Sequence, residues 1–201
     1  MRAMYSSGSG NPDLISESGS HWELGFTYSR EIFISGAVFF TKFTDMIDSV
    51  RLPEYDFERI YFNIDKAHIN GFELQVRKSF SRLSAGINYT FLDHENEGAA
   101  RPLDALPAHS MSFDVHIYPV RGLRVGLLGQ AAGRSDWLDY NTEELLEIPG
   151  YFNLDTIIGY RWKGSELFIK ATNLFDQFIY TEPGYPWRGR YFEIGIKADV
   201  L

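Results

Sequence analysis

The closing stretch RYFEIGIKADVL alternates without a break. Phe192, Ile194, Ile196, Ala198 and Val200 fall on one parity, and Tyr191, Glu193, Gly195, Lys197 and Asp199 on the other. A period of two is that of a strand with one apolar and one polar face. The same pattern recurs upstream: Trp22, Leu24, Phe26 and Tyr28 share a parity, as do Leu83, Ala85, Ile87, Tyr89 and Phe91, and His109, Met111, Phe113, Val115 and Ile117. The spacing predicts nine strands: Ser20–Ser29, Ile32–Ser49, Arg59–Lys78, Leu83–Leu92, Ala108–Tyr118, Leu123–Gly133, Tyr151–Trp162, Ser165–Asn173 and the closing one. An irregularity is expected near Asn70–Gly71. The one helical signal is Asn141–Ile148, with an Asn cap and an acidic first turn, which reads as a single turn inside a loop.

What surrounds such strands is constrained by the connections. Short turns of about two to four residues alternate with long loops of about nine to sixteen. A sandwich has no reason to place every long loop at one end, whereas a membrane barrel does. Most strands reach about ten residues, enough to cross a bilayer at a tilt and longer than is usual in soluble sheets. Aromatics form two bands. Tyr28, Phe33, Phe80, Tyr118, Tyr160 and Trp162 lie near the short turns; Phe43, Tyr61, Phe62, Tyr89, Phe91, Tyr151, Phe152, Tyr191 and Phe192 lie toward the long loops, as interface girdles would. The fold class is therefore all-β, an antiparallel up-and-down transmembrane barrel. Residues 20–201 form the barrel segment and residues 1–19 a loop or N-terminal extension. A porin-like channel and a soluble β-barrel or sandwich acting as a binding module stay open on these residues alone.

The strand count adds to this. Nine strands put the two ends of the sheet on opposite sides of the membrane, and an odd set leaves two unpaired edges that hydrocarbon does not tolerate. The expectation is a C-terminal part of a larger barrel. MRAMYSSGSG has no apolar core of a signal peptide, which for a barrel places the true beginning upstream.

Composition excludes other classes. With 44% hydrophobic and 23% charged residues the chain is not of disordered type. A net charge of -8 argues against a nucleic-acid partner, which needs a basic face. Without cysteine there is no disulfide, thiolate metal site or Cys nucleophile. His109 and His116 fall on opposite faces of one strand, and Ser112 and Asp114 oppose His109, so no Ser-His-Asp set forms. The chain is not expected to be an enzyme or to carry a cofactor or bound metal.

Several stretches resemble the C-terminal portion of TonB-dependent outer-membrane receptors. NPDLISESGSHWELG (Asn11–Gly25) resembles that family's Asn-Pro-Asp-Leu segment, with Ser16 where Pro is usual. FNIDKAHINGFEL (Phe62–Leu74), NYTFLD (Asn88–Asp93), LPAH (Leu106–His109), NLFDQFIY (Asn173–Tyr180) and YPWRGRYFEIG (Tyr185–Gly195, with Arg188 in a second Pro position) follow in the family's order. Family members usually end on a lipid-facing aromatic; here that parity ends at Val200 and Leu201 follows out of register. The resemblance implies a 22-stranded barrel closed by an upstream plug. It implies capture of a ferric siderophore, haem or cobalamin in the outer membrane of a Gram-negative bacterium. The partners it implies are outer-membrane lipid, the barrel-assembly machinery, the metal-chelate or cobalamin-like solute, and the TonB complex acting through the plug.

For the solute, the residues singled out are Trp137, Tyr140, Tyr185, Trp187 and Arg188, aromatics and a guanidinium in long loops. The acidic runs DHENE and DWLDYNTEELLE read as solvated loop faces rather than calcium sites, having no EF-type spacing. The glycines inside strands (Gly71, Gly86, Gly126, Gly129, Gly159, Gly195) are expected to permit close strand approach. Asn173 and Asp176 are expected to cap a strand end and its loop.

Overall fold

The computed structural model describes residues 11–51, 59–97, 103, 105–139 and 144–198. Its strands are β1 (Ser18–Ser29), β2 (Phe33–Arg51), β3 (Arg59–Ser79), β4 (Leu83–Asn96), β5 (His109–Ile117), β6 (Leu123–Ala132), β7 (Ser135–Asp139), β8 (Glu144–Ile148), β9 (Tyr151–Trp162), β10 (Ser165–Thr172) and β11 (Tyr191–Ala198). Nine of them form one sheet in the order β1-β2-β3-β4-β5-β6-β9-β10-β11, every pair antiparallel. Sequence neighbours pair throughout, apart from the β7–β8 hairpin set between β6 and β9. A two-sheet sandwich is thereby excluded.

Register turns the alternation into two continuous faces. One row runs Leu24, Val38, Phe72, Phe91; a lower one runs Leu83, Ile117, Val125, Ile158, Ile169, Ile194. Much of this face is uncovered: Trp22 and Leu24 are 76% exposed, and Ile194 and Ile196 73% and 74%. Among the described residues the buried apolar side chains are only Leu14, Ala67, Ile148, Ala171 and Ile179. Apolar burial drives folding in water, so this face needs hydrocarbon. The sheet in this chain stays open at β1 and β11.

The opposite face is polar, and many of its side chains bond to one another across the strands. Gln75 donates to Asn88 (2.7 Å), and Asn88 donates to Ser112 (3.0 Å); Ser112 and then Gln130 and Asn153 continue the row by register. Lower down, Arg124 on β6 donates through Nε and Nη2 (3.2 and 2.6 Å) to Glu166 on β10. The intervening strand offers Gly159, where a Cβ would collide with Glu166 Oε1. The glycine thus lets a charge pair span two strands.

Several expectations need correction. The stretch Glu144–Ile148 is strand, not helix: Leu145 and Leu146 pair with Leu138 and Trp137, and residues 141–143 lie outside the described set. A one-turn helix has too few internal bonds to hold alone, whereas the hairpin satisfies its backbone across strands. Asn70 and Gly71 pair regularly on both sides; the irregularity is at Asp45 on β2, with φ 54°. At Gly71 a Cβ would meet the Phe91 carbonyl and the Phe39 ring, so the glycine serves close approach instead. The aromatic bands are not pure girdles either. Phe33, Phe43, Tyr151 and Tyr191 share the inward parity with Arg77, Ala67, Ala132 and Thr172. Val200 and Leu201 lie outside the described residues.

Candidate functional site

Toward the long loops the inward face carries an open cleft. Asn88 and Thr90 of β4, Ser110 and Ser112 of β5, and Gln130 of β6 form its floor and wall. Tyr151 of β9 and Trp187 of the last loop close one side, around a cavity of about 300 Å3. No side chain in this lining carries a formal charge. The Tyr151 and Trp187 rings meet edge to face, centroids 5.2 Å apart at 60°.

Trp187 is held there by its loop's own bonds. Asn173, 3% exposed and at φ 52°, ends β10 in the left-handed region. Its side chain donates to the Gln177 carbonyl (2.9 Å) and accepts from the Gln177 N–H (3.0 Å), while its N–H donates to Asp155 (3.0 Å). Gln177 Oε1 accepts from the Phe152 N–H (3.1 Å), tying the loop back to β9. Asp176, also at φ 52°, accepts from the Arg190 N–H (2.8 Å) and so closes the loop at its far end. Ile179 fills the interior at 2% exposure and its carbonyl accepts from the Trp187 N–H (2.7 Å). The capping roles expected for Asn173 and Asp176 are both present.

A second clamp involves the start of the described chain. Asn63 on β3 accepts from the Ile15 N–H and donates to the Ile15 and Asp45 carbonyls (2.9, 2.9 and 2.6 Å). Asn11 donates to the Tyr61 carbonyl at 2.9 Å. NPDL and FNID, far apart in sequence, are thus one bonded unit.

Of the five residues expected to bind solute, four are described, and they are not gathered around one cavity. Trp187 lines the cleft. Arg188 stacks over Tyr191, 4.1 Å from the ring centroid. Tyr185 is 70% exposed beyond the cleft. Trp137 sits on the β7–β8 hairpin and is not part of the lining. Tyr140 lies outside the described residues. Sequence reading missed Tyr151 and the amide row. Their signal was parity: Tyr151 stands level with Ala132, Ser110 and Thr90 on the inward face. The lining can bind and orient through neutral donors, acceptors and ring edges. It contains no nucleophile with an adjacent base.

A family model described as TonB dependent receptor-like, beta-barrel, matches residues 1–174. The chain belongs to this family. As a TonB-dependent receptor barrel it belongs to the outer membrane of a Gram-negative bacterium. No curated protein matches it by sequence at a significant level. Among solved structures it is similar to the siderophore receptor PirA from Acinetobacter baumannii, with a TM-score of 0.76 at 19% identity over 94% of this chain and 32% of that one. It is similar also to the ferric-catecholate import receptor Fiu from E. coli K12, at 0.74, 19%, 96% and 29%, and to the copper transporter OprC, at 0.76, 15%, 92% and 32%. At these identities the likeness shows the fold. The receptor barrel described here spans about a third of the length of those chains.

Proposed function

We propose that this barrel forms the C-terminal wall of a receptor that captures a scarce metal chelate or cobalamin-like solute at the cell surface. Its import would be driven by the TonB complex through a plug encoded upstream. The observation that carries the reading is the cleft at the long-loop end, with a Trp187–Tyr151 edge above a row of neutral amides and hydroxyls. Such a lining suits the polar, ring-bearing periphery of an organic chelate better than a bare ion, which takes charged or lone-pair-dense ligands. Similar receptors for siderophore, iron and copper support the transport class and leave the cargo to be chosen.

Tryptophan-fluorescence titration of the full receptor with ferric catecholates, ferric hydroxamates, haem, cobalamin and copper tests this. Saturable binding of at least one chelate, weakened by about 30-fold in Trp187→Ala, is expected for an anchor ring. Response to copper alone, or a chelate affinity that Trp187→Ala leaves unchanged, contradicts it.

A further inference from the structure

An open cavity of about 680 Å3 lies at the short-turn end of the inward face and shares no residue with the Trp187–Tyr151 cleft. Arg82, Arg121, Arg124, Arg161 and Lys197 line it together with a single carboxylate, Glu166. The fold gathers these cations from several strands. Arg124, Arg161 and Lys197 stand on the inward parity of β6, β9 and β11. The turn between β5 and β6 brings in Arg121: its Gly122 carbonyl accepts from the Arg161 N–H at 2.8 Å. The turn between β3 and β4 brings in Arg82, whose carbonyl accepts from the Tyr118 N–H at 2.9 Å and so ties the two turns together. Register sets Glu166 between Arg161 and Lys197, yet its carboxylate pairs with neither. It lies over Gly159 and accepts from Arg124 at 3.2 and 2.6 Å. Among the described residues Arg82, Arg121, Arg161 and Lys197 make no ion pair. Five cations thus face one space with one carboxylate to offset them, on a chain whose net charge is -8.

We propose that this cavity binds a multiply charged oxyanion, a phosphorylated or polycarboxylate solute that enters the lumen from the periplasm. Short turns of an outer-membrane barrel open on that side, and inward parity turns Arg124, Arg161 and Lys197 away from lipid. A concave site lined by one sign of charge focuses its field and gathers ions of the other sign. Guanidinium groups match carboxylate and phosphate oxygens two at a time, a geometry that a halide cannot use. A space of several hundred Å3 suits a small organic anion better than a monatomic one. Glu166 occupies Arg124 and leaves four cations for the ligand, more than a monoanion can engage. The inference rests on the barrel's place in the membrane and is independent of the solute captured at the other end.

The full receptor in neutral detergent is titrated with pyrophosphate, citrate and acetate by isothermal calorimetry at fixed ionic strength. Saturable binding of pyrophosphate or citrate, and none of acetate, is expected; the tighter of the two assigns the natural ligand to phosphoryl or to carboxylate chemistry. Affinity should fall about tenfold in Arg161→Gln and about tenfold again in R161Q/K197Q. Glu166→Gln should raise it about threefold, because it removes the one opposing charge. A site that had merely lost its shape would bind more weakly instead. Lys42→Gln, outside this cavity, should change nothing. Absence of saturable binding, acetate held as tightly as the multivalent anions, an affinity that R161Q/K197Q leaves intact, or weaker binding in E166Q overturns the proposal.

Discussion

At the scale of single residues, Asn173 holds the last loop onto the end of β10. It is buried and left-handed, its side chain makes two hydrogen bonds to the Gln177 backbone, and its own N–H donates to Asp155. Asn173→Ala leaves the Gln177 N–H and carbonyl without this partner and keeps the backbone strain. A loss of about 2–3 kcal/mol is expected in urea unfolding of the micelle-bound receptor. Asn173→Asp, able to accept but not donate, should cost less. Arg124 and Glu166 make a second residue-level case. Arg124→Ala strands a carboxylate whose side chain is only 13% exposed, and about 1–3 kcal/mol should be lost. The double change R124A/E166Q should recover part of that, since no unpaired charge is left; a double variant less stable than the single one contradicts the pairing. Asn173 was legible in the sequence as a cap, because Asn tolerates the left-handed region a strand-ending loop needs. Tyr151 was not. Reading aromatics by their height along the strand groups it with the girdle, and only its parity tells that it turns inward against Trp187.

At the scale of elements, strands and their order were legible because alternation survives residue by residue, and a one-residue slip would turn every side chain to the wrong face. The β7–β8 hairpin was not legible. The stretch NTEELLEI, whose Glu144–Ile148 part forms β8, has the Asn and acidic residues that open a helix, and nothing local reveals that Leu145 and Leu146 will pair with Leu138 and Trp137. The hairpin belongs to its own two-stranded sheet, and such pairs are marginal alone. Its amides should exchange with deuterium at least about 100-fold faster than those of β3 and β4 in the full receptor. Equal protection would mean that the hairpin is docked on structure supplied by other parts of the protein.

At the scale of the whole molecule, the central claim is that one face of a single open sheet meets lipid and the other meets an interior. β1 and β11, first and last of nine antiparallel strands, run in the same direction. Closing the sheet by antiparallel pairing alone therefore takes an odd number of further strands, in keeping with a chain that covers about a third of the receptors it resembles. The absence of cysteine makes a direct test simple, since every introduced thiol is the only one in this segment. Spin labels at Leu24→Cys, Ile158→Cys and Ile194→Cys, and at Gln75→Cys, Gln130→Cys and Glu193→Cys, would be read in liposomes against membrane-dissolved oxygen and a water-soluble nickel chelate. The first three should respond to oxygen and the second three to the aqueous reagent or to neither, switching with a period of two along β11. Oxygen accessibility independent of parity, or higher at Glu193→Cys than at Ile194→Cys, would contradict the account.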